Sequence, residues 1–206
     1  MGIRAAKLAP AVLAVVALAA CAVSMPEKEV AALSEVGPGS VLIVGSVDVV
    51  PPLRAWEKDL DIPYDVFTFG MEEKLSNRAV LTFGRSPDTR VDHGEATINP
   101  ELGQTYFFAV PRDAPYMVGG YVVIEYAMVN GMLRDRRIVI PGTLRLEILP
   151  DDEAIYVGTL RLTRDDFNEV IEAMMVDDYQ RAAAEFETRF GTDTRLRKAI
   201  FEPVSQ

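Results

Sequence analysis

The sequence predicts a mainly-β fold, an antiparallel β-sandwich with a C-terminal α-helix, following a cleaved signal peptide. Three observations carry this. Short β-branched or alternating apolar segments recur along the chain, separated by Pro, Gly and Asn-Gly, a pattern of strands and tight turns rather than of βαβ units. An apolar period near 3.6, capped by a glycine, stands out only close to the C-terminus. The chain also opens on a basic stretch followed by a wholly apolar one.

Residues 1–7 carry Arg4 and Lys7 and no acid, and residues 8–20 are an unbroken apolar run of thirteen. A permanent membrane span needs about 20 such residues, and Pro10 would weaken the first turns of a helix here. The segment therefore reads as an export signal, 1–20. It closes on Leu18-Ala19-Ala20-Cys21, which contains the one cysteine in 206 residues. This motif resembles the lipobox of bacterial lipoproteins. The resemblance implies cleavage between Ala20 and Cys21, diacylglycerol on the Cys21 thiol, and usually a third acyl chain on the new N-terminus. One acyl chain holds a protein only marginally, whereas two or more anchor it stably. Ala22 and Val23 follow, without the Asp that commonly retains such proteins at the inner membrane of Gram-negative cells. The expected location is the cell envelope, lipid-anchored at the outer membrane and facing the periplasm.

The rest of the chain divides into a tether, 21–40, and a sandwich domain, 41–206. The tether ends at the breaker Gly37-Pro38-Gly39. Residues 41–50 begin with Val41-Leu42-Ile43-Val44, an unalternated run suited to a strand buried on both faces. Gly45 within it marks a bulge or a close backbone approach, and Pro51-Pro52 stops it. Residues 53–61, around Trp56, read as a loop or one helical turn. Residues 64–69 and 78–83 are further strands, joined by a polar connection, and 85–95 is a long polar loop. In the strand 104–110, Tyr106, Phe108 and Val110 share a face. Residues 121–129 form the next strand. Asn130-Gly131, suited to the positive φ angles of a type I′ turn, sends the chain back through Met132 toward Ile140. Residues 143–149 alternate cleanly, with Leu144, Leu146 and Ile148 on one side and Thr143, Arg145 and Glu147 on the other, so one face is wet. Residues 154–163 are read as its partner strand, with Tyr156, Leu160 and Leu162 on one face. Residues 167–176 fit a helix and a strand alike and are read as a strand. Residues 178–190 are the helix, with Asp177 or Asp178 as N-cap and Gly191 as C-cap. The tail beyond is expected to dock loosely.

The segments Tyr106-Phe107-Phe108-Ala109-Val110-Pro111, Gly119-Gly120-Tyr121 and Ile155-Tyr156-Val157-Gly158-Thr159-Leu160 resemble a pattern in bacterial proteins with a transthyretin-like or carboxypeptidase-regulatory-like sandwich. That resemblance covers residues 104–190 and implies a fold but no activity.

Charge narrows the function. The formal net charge is −10 and becomes −12 once Arg4 and Lys7 leave with the signal. Nucleic-acid binding needs a basic footprint, and electrostatic adhesion to an anionic membrane needs one too, so no nucleic-acid partner is expected and lipid is the expected membrane contact. His93 is the one histidine, which excludes an HExxH site, and its neighbours Asp92, Gly94 and Glu95 place it in an exposed loop. With Cys21 acylated no thiol nucleophile remains. Carboxylates cluster at Asp151-Asp152-Glu153, Asp165-Asp166 and Asp177-Asp178, without EF-hand spacing. Turn and cap roles account for them. Gly119-Gly120 and Gly158 have no helix N-terminus after them to hold a phosphate. Met174-Met175 suit core packing or an adaptable binding surface. Arg134, Arg136 and Arg137 suit an edge strand guarded by charge.

No catalytic residue, metal ligand or cofactor site is expected. The resulting expectation is a non-enzymatic, lipid-anchored envelope protein that binds or scaffolds an envelope protein or glycan. The alternative is a carboxylate-based hydrolase or a Ca-dependent carbohydrate-binding module, which requires the acidic clusters to converge in one cleft.

Overall fold

Why residues 41–44 are apolar without alternation is plain from the computed structural model, which describes residues 27–58, 77–129 and 132–204. The first strand, β1 (Ser40–Val50), lies in the middle layer of three. Val41, Ile43, Val47 and Val49 face a second sheet, while Leu42 and Val44 face a helix on the other side. In chain order there follow a one-turn helix α1 (Ala55–Lys58), β2 (Ala79–Gly84), β3 (Ala96–Ile98), β4 (Tyr106–Pro111), β5 (Tyr116–Val129), β6 (Met132–Ile140) and β7 (Leu144–Arg145). The chain then forms β8 (Ala154–Arg164), β9 (Val170–Val176), α2 (Tyr179–Phe190), β10 (Leu196–Lys198) and β11 (Glu202–Pro203). One sheet has the order β10-β8-β1-β4, with β9 also on β8. The other has the order β11-β7-β5-β2-β3, with β6 also on β5. The fold is thus mainly β, two sheets face to face, with α2 covering the outer face of the first.

Several expectations hold in detail. Residues 170–176 are a strand, β9. β5 and β6 pair antiparallel with Val129 opposite Met132, the register a two-residue Asn-Gly turn demands. Tyr106, Phe108 and Val110 face the inter-sheet core, while Phe107 faces α2. Gly191 caps α2 at φ +82°, its N–H donating to the Glu187 carbonyl. The strand expected at 64–69 lies outside the described residues, as do Ala20, Cys21, Asn130 and Gly131.

Others are corrected. The first sheet is mixed rather than purely antiparallel: β1 pairs parallel with β8, and β8 parallel with β10. β8 does not pair with the 143–149 segment, of which only β7 is a strand. β7 pairs with β5 and β11 in the opposite sheet. The burial requirements of the two differ. Residues 154–160 are buried on both faces and need a central position, whereas Arg145 and Glu147 need a solvated face. Tyr156 does not share a face with Leu160 and Leu162. Val44 pairs with Tyr156 but Gly45 with Gly158, so β8 holds an extra residue and its faces exchange there. Tyr156 consequently packs under α2, and Leu160 and Leu162 enter the inter-sheet core.

Gly45 and Gly158 meet at this bulge. A Cβ on Gly45 would sit 2.7 Å from the Gly158 carbonyl oxygen and 2.8 Å from the Val157 side chain, and Gly158 itself has φ +96°. Gly45→Ala should therefore destabilise the domain by about 1–3 kcal/mol through overpacking against backbone. A shift of the urea midpoint checks this, and an unchanged midpoint would refute the close-approach argument.

Both chain ends of the described structure stitch the sheets together. Glu27 bridges to Ile98 of β3 and Glu29 to Phe108 of β4, so residues 27–30 span one open side. The Val30 N–H donates to Phe107 at 2.8 Å, and its side chain is buried. The stretch expected as a tether is thus already part of the domain by residue 27. On the other side the tail is built in rather than loosely docked. Its β10 joins the first sheet, its β11 the second, and Phe201 between them is buried in the core.

Candidate functional site

Edge strands decide where a sandwich can accept a partner, because their outer N–H and C=O groups lack a neighbour. Residues 27–30 shield the edges of β3 and β4. β9 pairs with β8 alone and has no second strand among the described residues. Its sequence, Val-Ile-Glu-Ala-Met-Met-Val, has one charge in seven residues. Ile171 is 67% exposed and Met174 41% exposed.

The turn before β9 is rigidly made. Asp165 Oδ1 accepts from the backbone N–H groups of Phe167 and Glu169, both at 2.9 Å. Asn168 takes φ +65°, a left-handed conformation that asparagine tolerates. Phe167 is left at the tip, 75% exposed. Arg136 of β6 donates to the Phe167 carbonyl at 2.7 Å and fixes the tip against the other sheet.

From this tip β9 runs along a groove of about 780 Å³ between the two sheets. Ala173, Met174 and Met175 of β9 and Leu160 of β8 line one side, and 141–144 with Pro203 and Val204 line the other. The lining is mainly apolar. Pockets of this size and character hold ligands or peptide side chains. The rim is acidic. Among the described residues, no cation pairs with the carboxylates of Asp166, Glu169 or Glu172.

The acidic clusters do not converge. Asp151-Asp152-Glu153 precedes β8 and Asp165-Asp166 follows it, so the eleven residues of that strand separate them by roughly 35 Å. Asp152 is buried. Burial pushes its carboxyl pKa up, but hydrogen bonds from Arg197 at 2.6 and 2.7 Å and from the Leu149 N–H at 2.7 Å outweigh this, and the net shift is downward. Asp177 pairs with Lys198 and accepts from the Tyr179 N–H, and Asp178 lies 3.2 Å from Arg181. Among the described residues no three His, Cys, Asp or Glu side chains gather in metal-binding range.

His93 stands 71% exposed on a one-turn 3-10 helix, 3.8 Å from Asp92. Gly120 admits close strand packing: a Cβ there would fall 2.3 Å from the Val80 carbonyl oxygen. Arg137 stacks over the Tyr121 ring at 4.0 Å, and Arg136 serves the Phe167 carbonyl, so these two brace β6. Met175 packs partly on the core and Met174 faces outward, and both line the groove.

Phe167 and Ile171 were not foreseen as site residues. An apolar residue in a strand-like segment reads as core; the structure instead puts Phe167 at the tip of a turn and Ile171 on a strand at the sheet edge. Comparison with protein-family models, curated proteins and solved structures finds no match to this chain.

Proposed function

We propose that this protein is a lipid-anchored component of the cell envelope that binds or scaffolds another envelope constituent without catalysing a reaction, and that the β9 groove is its contact surface. The uncapped apolar edge of β9 carries this reading. It is a long exposed strand of low charge, which natural sandwiches ordinarily shorten, cover or charge. The Leu18-Ala19-Ala20-Cys21 motif supports the anchor, and Ala22-Val23 supports the outer membrane.

The anchor and the fold are closely linked in this reading. Since the domain is engaged from Glu27, only six residue steps separate it from the acylated Cys21, a reach of at most about 22 Å. The sandwich is then held beside the bilayer rather than on a long leash.

The test compares the native protein with Cys21→Ser by intact mass and detergent partition, with a photo-crosslinker at position 171 in whole envelopes. We expect an acyl-sized mass increment and membrane retention, both lost in the variant, and a discrete crosslinked envelope species. An unmodified protein that partitions into water would overturn the anchored reading.

A further inference from the structure

We infer that the β9 edge accepts an extended segment of a partner protein by strand addition, and that this segment is apolar where it crosses the groove and basic where it meets the 165–172 end. The inference rests on the envelope-binding reading above and adds the chemistry of the partner.

Backbone geometry supplies the first half. β9 offers seven residues of strand, about 23 Å of edge, with no second strand paired to it among the described residues. A segment laid along it would gain main-chain hydrogen bonds, and its alternate side chains would enter the groove beside Leu160 and Met175. Opposite that edge stand Leu144 and Pro203 of the other sheet, so an added strand would close this side of the sandwich.

Charge supplies the second half and selects the occupant. Asp166, Glu169 and Glu172 crowd the turn end of β9 without a cation among the described residues, and Asp88 stands on the groove lining. Two guanidinium groups that reach this turn are engaged elsewhere: Arg136 with the Phe167 carbonyl and 3.9 Å from Glu125, and Arg164 with Glu57 and the Asn168 side chain. A second copy of this chain is a poor occupant. Antiparallel self-pairing about Ala173 would set Glu169 of each copy opposite Asp177 of the other, a carboxylate whose cation, Lys198, is already committed to it, so a second copy brings Glu169 no counter-charge. A segment with Lys or Arg there turns the same carboxylates into attraction.

The experiment uses the full-length protein in detergent and two labelled peptides with the same Val-Thr-Val-Thr-Val centre, one flanked by Lys-Lys and one by Glu-Glu. Binding is read by fluorescence anisotropy, and the site by amide hydrogen exchange over residues 170–176. The Lys-flanked peptide should bind about tenfold more tightly and slow exchange of those amides. The double variant Glu169→Lys, Glu172→Lys changes only exposed side chains and should reverse the preference. Equal binding of the two peptides, or no protection of 170–176, overturns the inference. So does protection of 170–176 without peptide in a dimeric sample, which would assign the edge to a second copy. A crosslink from position 171 to an envelope protein, combined with no peptide protection, defeats strand addition but leaves the envelope-binding reading standing. Loss of the acyl signal defeats the anchored reading without touching the peptide result.

Discussion

Arg164→Ala should destabilise the domain by about 3–5 kcal/mol, because it leaves a buried carboxylate with no counter-charge. Arg164 and Glu57 have side chains only 3% and 1% exposed. Arg164 donates to Glu57 Oε1 at 2.9 Å and to Oε2 at 2.8 Å. It also donates to the Pro51 and Pro52 carbonyls, each at 3.2 Å, and to the Asn168 side chain. One guanidinium thus ties the end of β1, the helix α1 and the turn before β9. Urea unfolding measures the loss. The paired change Arg164→Met with Glu57→Met should recover much of it, since the cost lies in the orphaned charge rather than in the missing attraction. A single variant as stable as the parent would show that the pair is solvated in solution.

The same pair makes a pH prediction. Hydrogen bonding from Arg164 holds the Glu57 carboxyl below its ordinary value of 4.5, against the opposing push of burial. The folded state therefore binds that proton more weakly than the unfolded chain does. The stabilisation is complete above about pH 4.5 and drains away as pH falls through the lowered folded value. Asp152, also shifted downward, adds a loss of the same sign. In the Arg164→Met, Glu57→Met protein the slope of stability against pH below 4.5 should be shallower than in the parent. An unchanged slope would assign the acid sensitivity to other carboxylates.

Phe186→Ala is the second change with a large expected effect, about 3–5 kcal/mol, as for other fully buried aromatics. Phe186 is 1% exposed and sits between α2 and the outer face of the β1 sheet. Its ring lies 5.1 Å from Phe190, which meets Phe107 edge-on at 5.4 Å. Truncation opens a cavity beneath the helix and loosens both aromatic contacts. Amide exchange should quicken across 179–190 well before the sheets open, because α2 is a peripheral layer. If exchange instead rises uniformly, the helix and the sheets unfold as one unit.

Much of the fold was legible in the sequence because its signals are local. Gly191 marked the end of α2 because a positive φ is cheap only without a Cβ. Asn130-Gly131 announced the pairing of β5 and β6, since that dipeptide suits a turn whose twist matches the strands. The unbroken Val41-Leu42-Ile43-Val44 run announced a strand covered on both faces. The Gly45 approach was likewise foreseen, although its partner Gly158 was not.

What stayed hidden depends on contacts between residues far apart in the chain. Nothing near residue 154 says that β8 runs parallel to β1, and a hairpin with the preceding segment is the cheaper local guess. The bulge that turns Tyr156 away from Leu160 exists because two strands had to match across a glycine pair. Arg164 reads as an ordinary strand-end charge until α1, β1 and the β9 turn close around it. The candidate site was hidden for the same reason.

The sequence by itself determined the strand-rich class, the register that Asn-Gly imposes on β5 and β6, and the terminal helix with its glycine stop, all set by sterics and periodicity within a few residues. Only the tertiary structure decided which strands are neighbours, and hence that β9 has a partner on one side alone among the described residues. Phe167, Ile171 and Met174 are apolar in either description. They become a surface because β9 is left as an edge with Phe167 on the turn that leads into it, and an edge is a property of the whole sheet rather than of any stretch of chain.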